Sequence, residues 1–145
     1  MTGIAALQRI AETLRAEGGL LAGAVVDPAP GTPAPLGDRV TQGPRVAADP
    51  EEYAFVVEAV REGQLIHGGT SRIIATDDTD LALLAGDRLY ALGLSRLAER
   101  GDLEAVEALA EVIALCARAR ASGDPALAET AWEAGVARVG WGAKS

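Results

Sequence analysis

The cluster Asp77-Asp78-Thr79-Asp80 has the residue types best suited to chemistry in this chain. Paired carboxylates can hold Mg²⁺ through one or two oxygens, with substrate phosphates completing the shell. In a helix Asp77 and Asp80 would share a face. The same residues precede an apolar run, however, where a capping residue and acids in the first turn stabilise a helix. We therefore interpret the cluster as a capped helix start, with a metal site at Asp77 and Asp80 as the alternative.

Asp87 is the most unusual acidic residue, because helical rotation places it among Leu83, Ala91 and Leu94. A buried carboxylate requires a cation or several hydrogen-bond donors. The sequence therefore predicts a core ion pair, or a polar anchor that fixes helix register or contacts a ligand. The preceding segment supplies three candidate partners: Arg61, His67 and Arg72.

His67 and Arg72 lie on either side of the pair Gly68-Gly69, an arrangement that can form an anion site. A lone histidine at a helix end is more often a cap or a hydrogen-bonded core group. The glycines match no phosphate-binding loop, because no Gly-Lys-Ser/Thr follows them. Cys116, the only cysteine, lies in an apolar run and is predicted to be a buried small hydrophobic residue.

Composition indicates the elements that must position these residues. The chain has 145 residues, which fits one domain, and is 49% apolar but only 3% aromatic. A core of Leu, Ala, Val and Ile favours helices. The net charge of −8 disfavours nucleic acid and anionic membrane surfaces. The acidic composition also suits a cytoplasmic protein, and we expect no cofactor. No stretch is long and apolar enough to be a membrane span.

Hydrophobic periodicity and helix stop signals predict five helices and an all-α helical bundle. The predicted organisation is one domain overall, in which 1–26 form a helix and a short apolar segment, and 49–145 form the helical domain. Between them, 27–48 alternate prolines with small residues. Proline removes backbone donors and restricts its predecessor, so no helix should pass through 27–48. We expect a surface linker, or an arm lying across a partner chain. The predicted helices are 4–17, 49–67, 80–98, 102–121 and a last helix from 125.

The helix predicted at 80–98 is apolar around almost its whole circumference, which is typical of the centre of a core or an interface. Gly86 and Gly93 fall near one face and would allow another backbone to approach closely. Few other helices are available to cover this one, so part of it is expected to meet another chain in a homo- or hetero-oligomer. The predicted interface residues are Leu89, Tyr90, Gly86 and Gly93.

The segment 83–91, Leu-Leu-Ala-Gly-Asp-Arg-Leu-Tyr-Ala, resembles a helix of the trans-isoprenyl diphosphate synthases, or polyprenyl synthetases. Their pattern is an apolar run, Ala-Gly-Asp, an aromatic residue or Leu, and a long apolar continuation. Leu65-Ile66-His67 before the segment and 97–102 after it fit the same pattern. The resemblance covers about residues 53–121, and it implies part of the isoprenoid-synthase fold.

The chain departs from the catalytic members of that family at Gly68-Gly69-Thr70-Ser71-Arg72. Those members carry Asp-Asp-x-x-Asp here, and later a pair of arginines and a second aspartate motif. Diphosphate ionisation needs Mg²⁺ held between facing carboxylates, so the resemblance does not carry the chemistry with it. The chain is more similar to the small, non-catalytic subunits of heterodimeric polyprenyl diphosphate synthases.

This resemblance implies a non-catalytic interaction or regulatory subunit that packs on a larger polyprenyl synthase subunit and helps set product chain length. Such a protein would not be an enzyme on its own. Two alternatives remain open. One is a homodimeric helical binding module, and the other is a metal-dependent isoprenoid-diphosphate enzyme, completed across a dimer, that uses Mg²⁺ at Asp77 and Asp80.

Overall fold

A computed structural model describes residues 3–142, and in this part of the chain the fold is all-α, as predicted. A 3-10 helix, Pro44–Val46, lies between the third and fourth α-helices. The only β-type pairing in these residues is one antiparallel bridge between Val25 and Ile74. The α-helices are α1 (Gly3–Glu17), α2 (Gly19–Ala22), α3 (Pro35–Val40), α4 (Pro50–His67), α5 (Thr79–Arg100), α6 (Leu103–Ser122) and α7 (Pro125–Trp141).

Helix α4 is the centre of the fold. Every residue from Tyr53 to Val60 is buried, because α1, α3, α5 and α6 all pack against this helix. Two hydrophobic clusters share it. One joins α4 to α1 and α5, and the other joins α4 to α6 and α7. The middle of the helix is therefore buried around its whole circumference, as expected of a helix at the centre of a core.

The predicted helix boundaries are confirmed to within about two residues. Asp102 and Asp124 are N-caps whose carboxylates accept backbone N–H groups in the first turns of α6 and α7. Gly101 and Gly123 adopt the left-handed conformation that ends the preceding helix. Asp49 precedes α4 as expected, but its side chain makes no capping bond and pairs with Arg100 at 2.9 Å instead.

The expectation that no helix forms in 27–48 is wrong. This segment contains α3 and the 3-10 helix, and α3 packs against α1, α4 and α7. Gly37 and Val40 on α3 are buried, as is Val46 on the 3-10 helix. Pro35 and Pro44 each lie in a first turn, where the missing N–H has no helical partner to lose. The segment therefore covers the core of its own chain.

The short apolar segment after α1 forms α2 and then the bridge to Ile74. Val26 N–H donates to Ile73 O at 2.7 Å, and Ala75 N–H donates to Ala24 O at 2.8 Å. These bonds hold the connection between α4 and α5 against the end of α2. Within residues 3–142, no helix is both long enough and apolar enough to cross a membrane.

Candidate functional site

The acidic cluster forms the start of α5. Asp78 is the N-cap, and its Oδ1 accepts the N–H groups of Asp80 at 3.0 Å and Leu81 at 3.2 Å. Asp80 lies in the first turn, where an acid stabilises the helix dipole. Asp77 precedes the cap, so the expectation that Asp77 and Asp80 share a helical face is wrong. Among residues 3–142, no three side chains of His, Cys, Asp or Glu are grouped to hold a metal ion.

An open cavity of about 290 Å³ lies between the end of α4, the connection 68–78 and the start of α5. Its lining is mixed, with apolar Ile66 and Ile74 beside polar Ser71 and Asp77. Asp78 also lines the cavity, but its Oδ1 accepts the two capping N–H bonds. The cavity therefore has a mixed lining, without a grouped set of side chains that could bind a metal.

Asp87 is not buried, which corrects the prediction of a core carboxylate. Its side chain is 75% exposed, and its Oδ1 lies 3.3 Å from His67 Nε2. The partner is thus one of the three predicted, but the pair lies at the surface. His67 is itself largely covered, with its ring edge-to-face against Tyr90 at 5.0 Å between centroids. The contact ties the end of α4 to α5.

Arg72 is the polar anchor of the fold, although its partners are not Asp87 or His67. Its Nε donates to Glu62 Oε1 at 2.8 Å, and its Nη2 lies 2.9 Å from Glu58 Oε1. The second contact is an ion pair whose angles fall outside hydrogen-bond geometry. Arg72 Nη1 also donates to Pro33 O at 3.1 Å. One guanidinium therefore joins α4, the α4–α5 connection and the segment before α3.

Glu58 and Glu62 are the two fully buried charged residues in the described part of the chain. Gly37 N–H donates to Glu58 Oε2 at 2.6 Å, and the N–H of Arg72 donates to Glu62 Oε2 at 3.0 Å. The Ser71 hydroxyl also bonds Glu62. Burial raises the pKa of Glu58, although Arg72 and the Gly37 N–H act in the opposite direction. Two carboxylates thus share one direct cation, and Glu58 is the one that burial makes harder to ionise.

These two glutamates were not predicted as site residues. They are four residues apart, so they lie on one face of α4. The available signal was that apolar residues surround Glu58 in the sequence, at 53–57 and at 59–60. Their cation is Arg72, which follows Glu62 by ten residues and Glu58 by fourteen. Helical periodicity cannot predict this pairing, because Arg72 lies outside the helix.

Gly86 and Gly93 make their close approaches within the chain, against α4. A Cβ at Gly93 would lie 2.8 Å from Val60 Cγ2, and one at Gly86 would collide with the His67 ring. Leu89 is fully buried on the same side, and Tyr90 is half-buried. The four residues predicted for an interface between chains therefore form the contact of α5 with the rest of its own chain.

The opposite side of α5 faces outward in the single chain. Leu83 is 50% exposed and Leu84 is 59% exposed. Asp87 and Ala91 are exposed beside them. These four residues fall within about 100° of one another around the helix, and we call them the α5 outer face. Two neighbouring exposed leucines form a small apolar patch, a kind of surface that can mark a protein contact.

Comparison with known proteins gives no relative. No protein-family model matches the chain, and neither the curated proteins nor the solved structures contain a match.

Proposed function

We propose that this chain is a non-catalytic helical subunit that packs through the α5 outer face on a larger polyprenyl synthase subunit in the cytoplasm. The observation that carries the proposal is the exposure of Leu83 and Leu84 on a helix whose other side is buried in the core. An apolar face on a rigid core helix is suited to lie against a second helix. The resemblance of 83–91 to a polyprenyl synthetase helix supports the identity of the partner.

The segment that stands in place of the family's first aspartate motif supports the non-catalytic part of the proposal. Ser71 and Arg72 both bond Glu62, so this turn places a guanidinium against the core of α4. A cation at this point opposes the binding of Mg²⁺, which needs facing carboxylates. The isolated chain should therefore not elongate an allylic diphosphate with isopentenyl diphosphate.

The chemistry of the α5 outer face defines what the partner must present. Asp87 lies between exposed leucines, and its side chain is 75% exposed. A partner helix with an apolar stripe and a basic residue opposite Asp87 would cover the leucines and pair the carboxylate. A second copy of this chain would bring a net charge of −8 against −8, which disfavours self-association relative to a basic surface.

The test is co-expression with a full-length polyprenyl synthase subunit from the same genome, followed by co-purification and light scattering. Leu84→Asp should abolish the complex, because it places a charge in the apolar contact. Leu103→Asp is the matched control, since Leu103 is 69% exposed at the start of α6 and away from the α5 outer face. A complex equally resistant to both substitutions would contradict the proposal.

Two further measurements separate the alternatives. If the chain alone is a dimer at micromolar concentration and Leu84→Asp makes it monomeric, it is a homodimeric binding module. If the chain alone binds Mg²⁺ and diphosphate, and loses that binding when Asp77 and Asp80 are replaced by Asn, the result favours the metal-dependent enzyme. Labelled product from the isolated chain with Mg²⁺, an allylic diphosphate and labelled isopentenyl diphosphate would also overturn the non-catalytic assignment.

A further inference from the structure

A groove lies along α4 and the start of α7, between α3 on one side and the end of α6 on the other, on residues that the proposed function does not use. It consists of two adjoining cavities of about 400 Å³ and 280 Å³, which share Arg61 and Glu129. Cavities of this size accommodate small organic ligands. No residue of α5 lines either cavity, so the groove is separate from the α5 outer face.

The groove collects arginines that lack a carboxylate partner. In the described part of the chain, Arg39, Arg61, Arg118 and Arg120 have no carboxylate within 4.0 Å, and all but Arg118 line the groove. The remaining arginines are ion-paired: Arg9, Arg15, Arg45, Arg72, Arg88, Arg96, Arg100 and Arg138. In a chain of net charge −8, where carboxylates outnumber cations, this concentration of unpaired guanidinium groups identifies a surface that can accept an external anion.

Arg61 is held in place by the groove rather than free in solvent. Its Nη1 donates to Gln64 Oε1 at 2.7 Å, and the same oxygen accepts the Trp132 Nε1–H at 3.3 Å. The guanidinium carbon lies 5.7 Å from the centroid of the Trp132 ring. Neither contact neutralises its charge. A half-buried, oriented guanidinium binds an anion with less loss of side-chain entropy than a free surface arginine.

The surroundings of Arg61 specify the class of anion. Leu36, Leu65 and Ala128 line the groove, so its walls are partly apolar. Three acids, Asp124, Glu129 and Glu133, also line the groove, and they repel a multiply charged headgroup more strongly than a singly charged one. An apolar chain would cover the walls while a single negative charge pairs with the guanidinium.

We propose that the groove between α4, α6 and α7 binds a monoanionic amphiphile, a carboxylate headgroup on an apolar chain, with the headgroup at Arg61. The apolar chain lies along Leu65 and Ala128. Arg39 and Arg120, each in one of the two cavities, attract the headgroup and offset the three acids that line the same groove. This proposal is independent of the α5 outer face, so either can fail without the other.

The test uses tryptophan fluorescence of the full chain titrated with decanoate below its micelle concentration. Trp141→Phe removes the second tryptophan, so the signal reports Trp132 beside Arg61. We expect a saturable change, and at least a tenfold loss of affinity in Arg61→Met, which keeps an apolar stem against the ring. Arg118→Met is the matched control, because it removes the same charge from an unpaired arginine outside the groove. It should leave the affinity unchanged.

Two ligands with the same apolar chain and a different headgroup test which charge the groove prefers. Decyl diphosphate should bind at least tenfold more weakly than decanoate because of the acids that line the groove, and decyltrimethylammonium should not bind. Tighter binding of the diphosphate, equal binding of the cation, or an equal loss in Arg118→Met would overturn the proposal. If circular dichroism shows that Arg61→Met is unfolded, Arg120→Met decides, since Arg120 is exposed and should weaken decanoate binding without affecting the fold. No saturable change with decanoate in the parent chain would also overturn it.

Discussion

Replacing Arg72 with Met should destabilise the protein more than any other removal of a single charge. The substitution keeps an apolar stem but leaves Glu58 and Glu62 without their direct cation, and both carboxylates are fully buried. Breaking a buried ion pair from one side typically costs about 3–5 kcal/mol. The loss of the hydrogen bond to Pro33 O adds about 1 kcal/mol. Together these approach the whole stability of a domain of this size.

The assay is urea unfolding followed by far-ultraviolet circular dichroism, with the free energy of unfolding extrapolated to water. Arg118→Met removes one charge from an exposed, unpaired arginine, so it should change the free energy by about 0.5 kcal/mol or less. Adding Glu58→Gln and Glu62→Gln to Arg72→Met should restore much of the loss, because no buried charge is then unpaired.

The pH dependence of Arg72→Met gives an independent check. Burial raises the pKa of Glu58 and Arg72 acts against that rise, so without the guanidinium the protonated form of Glu58 favours the fold still more. The stability of the variant should therefore be least impaired below the usual glutamate pKa and fall as the pH rises toward neutrality. A cost below about 1 kcal/mol at pH 8, or a cost independent of pH, would refute the assignment of Arg72 as the anchor of these carboxylates.

Three other substitutions test Glu58, the packing of α5 on α4, and the acidic start of α5. The stability of Glu58→Gln relative to the parent protein should increase as the pH rises above the usual glutamate pKa. The reason is that the raised pKa of Glu58 makes its ionisation unfavourable in the folded state. Parallel denaturation curves at several pH values check this. Gly93→Ala should cost about 1–3 kcal/mol, because its Cβ would lie 2.8 Å from Val60 Cγ2. Gly23→Ala, whose Cβ would make an ordinary contact with Leu20 O at 3.5 Å, should cost less than about 0.5 kcal/mol in thermal or urea unfolding. Asp77→Asn combined with Asp80→Asn should change stability by about 1 kcal/mol or less, and calorimetry should detect no Mg²⁺ binding that the variant loses.

Local signals in the sequence were sufficient for most helix boundaries. Gly101-Asp102 and Gly123-Asp124 each combine a left-handed helix end with the next N-cap, and both depend only on neighbouring residues. The same kind of reasoning failed for α3, whose six residues have little intrinsic stability. That helix is held by Gly37 and Val40 against other parts of the chain, so its cause is tertiary.

The position of Asp87 shows a second limit of periodicity. Helical rotation correctly relates Asp87 to Leu83 and Ala91, but it does not decide which side of the helix meets α4. Here the glycine side packs inward because Gly86 and Gly93 let α4 approach, and the leucine side stays outside. When both sides of a helix are apolar, its composition cannot predict which side packs on a neighbouring helix.

The three segments joined by Arg72 have a consequence for how the molecule opens. The amide of Gly37 donates to Glu58, and the amide of Arg72 donates to Glu62, so each is protected by a carboxylate buried in α4. Exposing either amide to solvent requires withdrawing its carboxylate partner, which is held by the same guanidinium. The connection between α4 and α5 and the start of α3 are therefore one cooperative unit with α4. Hydrogen exchange at both amides should therefore require the global opening of the domain rather than the fraying usual for surface segments.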